Sequence, residues 1–95
     1  DDRAEKKART ASRDDPDDYE AAKRKKQEER RRKRRIEELE QEIERLEKDI
    51  HGLEQRLLAP EVFNNYEEAQ KITKEVEERK QQLDALIEEW TLLQS

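Results

Sequence analysis

Apolar residues recur at alternating spacings of three and four through Ile36, Leu39, Ile43, Leu46, Ile50, Leu53 and Leu57. That period is the buried stripe of a coiled-coil helix, with isoleucine and leucine alternating at the a and d places of the heptad. A second stripe of the same spacing follows through Ala69, Ile72, Val76, Arg79, Leu83, Leu86, Trp90 and Leu93. Between them lies Leu58-Ala59-Pro60-Glu61-Val62-Phe63-Asn64-Asn65. Pro60 cannot donate to a continuing helix but suits the first turn of a new one. The pattern predicts helix 1 over about 19–58, a turn over 59–65 with one helical turn at Pro60 to Phe63, and helix 2 over about 66–94. Asn65 is the expected N-cap of helix 2, with Glu68 three residues on in a capping-box relation. Val62, Phe63 and Tyr66 are expected to plug the tip.

Two stripes of similar length joined by a turn can pair with each other. A register in which facing residue numbers total 129 sets Ile36 against Leu93, Leu39 against Trp90, Ile43 against Leu86 and Leu46 against Leu83. It continues with Ile50 against Arg79, Leu53 against Val76 and Leu57 against Ile72, so every apolar position of the first stripe finds a partner. The charges expected beside it are Arg56 near Glu75 and Glu47 near Lys80, with Glu42 near Glu89 as an unfavourable pair. A parallel homodimer of helix 1 would instead face Glu42 with Glu47 and Asp49 with Glu54 of the second copy, like against like. The expected fold is therefore all-α, a two-helix antiparallel coiled-coil hairpin in a monomeric chain. Arg79, alone among apolar neighbours, is expected to carry its head out to nearby carboxylates.

Residues 1–18 have no apolar period and end in Asp14-Asp15-Pro16-Asp17-Asp18, which predicts a flexible, disordered N-terminal linker ahead of a hairpin domain over 19–95. Asp17 or Asp18 would cap a helix starting near Tyr19. Helix 1 then extends N-terminally of its stripe through Lys23 to Arg35, a basic half held by helix propensity and by Glu28–Arg32 and Glu29–Lys33 pairs at i,i+4.

Composition narrows the classes further. With 52% of residues charged, 29% apolar and a single glycine, the chain has the profile of long solvated helices and cannot build a thick core. There is no cysteine, so neither a disulfide framework nor a thiolate metal site is available. The longest apolar run, Leu57-Leu58-Ala59, is far too short to span a bilayer, and the charged N-terminus lacks a signal-peptide core. The expected setting is the cytoplasm, with no membrane. The lack of methionine at position 1 leads to the expectation of a domain excised from a longer parent.

The net charge of −5 conceals two opposed halves. Residues 1–35 hold 15 Lys/Arg against 10 Asp/Glu, net +5, and residues 36–95 hold 7 against 17, net −10. Lys23 to Arg35 alone carries ten basic residues against Glu28 and Glu29, net +8. This run is the strongest candidate for function. Lys23, Arg24, Lys25, Lys26, Arg30, Arg31, Arg32, Lys33, Arg34 and Arg35 lie on all sides of a helix, where they can contact several phosphates and release counterions. No aromatic residue interrupts them and only Gln27 could read a base edge, so the expected contact is with backbone or shape. The segment lacks the asparagine and spaced arginines of a basic-leucine-zipper reading helix, and it has no apolar face to insert into a membrane surface. A structural coiled-coil module, interacting with proteins or acting as a spacer without binding nucleic acid, is the alternative.

Catalysis is not expected. The one histidine, His51, has no nucleophile or second histidine in a plausible constellation, no phosphate-cradling glycine loop exists, and the carboxylates sit on convex helix faces. No cofactor is expected in these residues.

Three stretches carry a resemblance: Arg34-Arg35-Ile36-Glu37-Glu38-Leu39-Glu40, the turn Leu58 to Glu67, and the ending Leu83-Asp84-Ala85-Leu86-Ile87-Glu88-Glu89-Trp90-Thr91-Leu92-Leu93. Over residues 19–95 the chain resembles the C-terminal coiled-coil domain of the ABC-F family, proteins with two ATP-binding cassettes and no membrane domain. The turn is also similar to the N-terminal helices of bacterial peptide-chain release factors, but the Glu-Glu-Trp ending fits ABC-F better. The resemblance implies a parent that binds and hydrolyses ATP outside these residues and acts on the ribosome in translation, on branched DNA or in antibiotic resistance. This chain would be its non-catalytic arm, with rRNA, tRNA, DNA or the ribosome as partner.

Overall fold

The structure of the protein, a computed structural model, describes residues 16–95. They form α1 (Pro16–Leu57), α2 (Pro60–Phe63) and α3 (Tyr66–Gln94), with no strand among the described residues. The chain divides into two units, Asp1–Arg34 and Arg35–Ser95. The predicted linker over residues 1–18 lies outside the described residues as far as residue 15. Pro16, Asp17 and Asp18 belong to the helix rather than preceding it. Proline's fixed φ suits a first turn, where its missing N–H would have had no intrahelical partner, and the two aspartates there oppose the positive end of the helix dipole. Within the first unit every described residue is exposed.

The second unit is the predicted antiparallel hairpin. α1 ends at Leu57 because Pro60 disfavours helical backbone at Ala59, which is extended at φ −70° and ψ 131°. The last amides turn back within the chain, Leu58 N–H to the Gln55 carbonyl at 3.1 Å and Ala59 N–H to that of Arg56 at 3.1 Å. Pro60 opens α2, a single turn. Asn65 then caps α3, its side-chain oxygen accepting from the Glu68 amide at 3.3 Å. The reciprocal half of the capping box is absent. The Asn65 amide is already bound to the Val62 carbonyl at 2.9 Å, and the Glu68 carboxylate reaches Arg56 instead, at 3.5 Å.

Every position of both stripes is buried or half-buried. Ile50, Ile72 and Val76 form the core, with Leu53, Leu57, Val62 and Leu83 packed against them, and Leu39 is fully buried. Each such side chain contributes roughly 1.5–3 kcal/mol when fully removed from water. Ion pairs between the two limbs report the register. Arg35 with Glu89 and Arg56 with Glu68 each total 124, and Glu54 with Lys80 totals 134. Both totals lie five from 129, the offsets at which g meets g and e meets e in an antiparallel coil whose a and d layers total 129. The seam pairing holds, while the flanking partners differ from those expected. Arg56 meets Glu68 rather than Glu75, Lys80 meets Glu54 rather than Glu47, and Glu89 is held by Arg35 instead of facing Glu42. Arg79 behaves as predicted, half-buried with Nη1 3.7 Å from the Glu75 carboxylate.

The tip departs from expectation. Val62 joins the core, but Phe63 and Tyr66 are 73% and 75% exposed. A one-turn helix aims only one of two successive residues at the core, and Val62 holds that place. Tyr66 opens α3 three residues before Ala69, one place past where the stripe's spacing carried back from Ala69 would fall, so it is turned off the seam. Its hydroxyl accepts a hydrogen bond from Gln70 Nε2 at 3.1 Å.

Candidate nucleic-acid interface

The basic residues lie on α1, where successive side chains turn by about 100°. Lys23 to Lys26 and Arg30 to Arg34 therefore present cations around the whole circumference of their segment. All nine are exposed, and none takes part in an ion pair among the described residues. The expected Glu28–Arg32 and Glu29–Lys33 pairs do not form within 4.0 Å. Fully solvated i,i+4 pairs gain only a few tenths of a kcal/mol, too little to fix two long side chains. The cationic heads are consequently free for an external anion.

Arg35 is different. Its Nε lies 2.7 Å and its Nη2 3.0 Å from the two carboxylate oxygens of Glu89, a two-pronged pair across the hairpin, with Glu38 at 3.4 Å. The hydrogen bond to Glu89 raises the Arg35 pKa beyond its already high ordinary value, and the same bond holds the Glu89 carboxyl below the usual carboxylate range. Arg35 thus belongs to the hairpin's end layer and leaves nine residues, not ten, in the open basic set. Sequence reasoning also passed over Tyr19. It is 64% exposed and sits four and seven residues before Lys23 and Lys26, on one face with them. That i, i+4, i+7 spacing was the available signal.

No group of His, Cys, Asp and Glu among the described residues is placed to hold a metal ion. Nor is any helix among them long and apolar enough to cross a membrane.

An all-α hairpin whose first helix carries a basic segment belongs to the class of antiparallel coiled-coil domains. Residues 23–95 match the family model of the ABC transporter C-terminal domain, and the chain belongs to that family. The resemblance carried by the proline turn and the Glu-Glu-Trp ending is borne out at that level. No curated protein and no solved structure matches the chain.

Proposed function

We propose that this domain is the non-catalytic nucleic-acid-binding arm of an ABC-F ATPase, a cytoplasmic protein that acts on the ribosome in translation or on DNA. ATP would be bound by cassettes outside these residues. The observation that carries the reading is the set of nine exposed cations between Lys23 and Arg34, without an ion-pair partner among the described residues and net +7 after Glu28 and Glu29. Residues 36–95, at net −10, repel phosphates, which confines an anionic ligand to the basic segment. A helix fits the width of a DNA major groove, and cations on every face make the contact tolerant of sequence.

Titration against ribosomes, RNA and duplex or branched DNA at several salt concentrations tests this. If about six phosphates are neutralised, log affinity falls against log salt with a slope near −5 on duplex DNA and less steeply on single strands. Changing Arg30, Arg31, Arg32, Lys33 and Arg34 together to glutamine abolishes binding. Arg35 stays native in that variant, so the hairpin keeps its end layer and glutamine keeps helix propensity. Unchanged affinity would leave the protein-interaction module as the better reading, which the exposed Leu58, Phe63 and Tyr66 at the tip favour.

A further inference from the structure

Near the open end of the hairpin, on the side where e positions meet, a groove of about 430 Å³ runs between α1 and α3. Ile43, Ile87 and Trp90 form its apolar floor, and Glu40, Glu44 and Glu47 stand along one wall. Glu44 is paired with Lys48 at 3.2 Å, whereas Glu40 and Glu47 have no cationic partner among the described residues. One heptad further toward the turn the equivalent e layer is complete, Glu54 facing Lys80 at 3.7 Å. In the groove the place corresponding to Lys80 is taken by Ile87, 39% exposed, so Glu47 faces a hydrocarbon. Trp90 is half-buried, and its Nε1 is buried without a hydrogen-bond partner, leaving ring surface rather than the indole's donor to line the groove.

We propose that this groove docks an arginine-rich segment of a protein partner. A guanidinium is planar and weakly hydrated. It can lie on the indole and Ile87 while donating to Glu40 or Glu47, supplying the cation that α3 lacks in this layer. Lysine, a compact and strongly hydrated charge, gains less from the ring. The same carboxylates repel phosphate, so the groove and the basic segment select opposite partners.

Trp90 is the only tryptophan, so its emission reports this groove directly. The whole chain is titrated with an octa-arginine peptide and with octa-lysine of equal charge, following Trp90 fluorescence and peptide anisotropy. The arginine peptide is expected to change Trp90 emission and to bind several-fold more tightly than the lysine peptide. Glu40→Gln with Glu47→Gln is expected to weaken it about three- to tenfold. Glu77→Gln with Glu78→Gln, which removes the same charge from exposed positions of α3 outside the groove, leaves the groove's own contacts intact and is expected to weaken it less than twofold. Circular dichroism confirms that both variants keep their helix. Binding that leaves Trp90 emission unchanged, equal loss in the two variants, or equal affinity for the two peptides would each overturn the proposal in favour of diffuse acidic attraction.

Discussion

Gly52 lies in helical backbone at an outward position of α1, with open space where a Cβ would stand. Replacing it by alanine removes the entropy that glycine loses on folding and meets no neighbour. Gly52→Ala is expected to stabilise the hairpin by about 0.5–1 kcal/mol, read as a higher urea midpoint at unchanged slope. Leu39, at 0% exposure, marks the opposite extreme. Leu39→Ala is expected to cost about 2–5 kcal/mol, whereas Phe63→Ala, at the exposed tip, stays within about 0.5 kcal/mol in the same experiment. A large loss on truncating Phe63 would mean that the tip packs after all. The contrast shows where residue-level patterning was informative. Leu39 repeats with its stripe and its burial follows from the period. Phe63 belongs to no period, and its hydrophobicity alone could not tell a plug from an exposed patch.

The helices and their mutual register were legible because heptad spacing makes one stripe on each limb, and only one antiparallel alignment buries both stripes completely. The flanking ion pairs were not legible to the same degree. Long charged side chains reach several neighbours within about one turn, and the geometry of the coil selects among them. Arg35 is the clearest case, since by sequence it closes the basic run and in the fold it clasps Glu89. The pair has a pH signature. Because Glu89 titrates below its unfolded value, its contribution is complete above the ordinary carboxylate range and is lost as pH falls through the lowered folded pKa. Arg35 remains charged throughout. The stability advantage of the native chain over Glu89→Gln is therefore expected to be present at neutral pH and to vanish in strong acid. An advantage that persists there would exclude the ion pair as its cause.

For the chain as a whole, the hairpin satisfies its own apolar stripe, so sedimentation of the protein without ligand is expected to give one chain per particle. A stable dimer paired in parallel through the α1 stripe would contradict the fold. Helical content, the position of the turn, the antiparallel register and the opposed charges of the two halves are all written in local properties: spacing, a proline, and counts of charged side chains. The register needs in addition only that the two stripes bury each other, a condition the spacing already fixes. The choice among competing partners did depend on where distant residues fall. The fold removed Arg35 from the basic set, turned Phe63 and Tyr66 to solvent, and set Glu47 opposite Ile87 beside Trp90. Each outcome follows from which side chains the packed limbs bring within a few ångströms, a relation that a linear pattern constrains but does not contain.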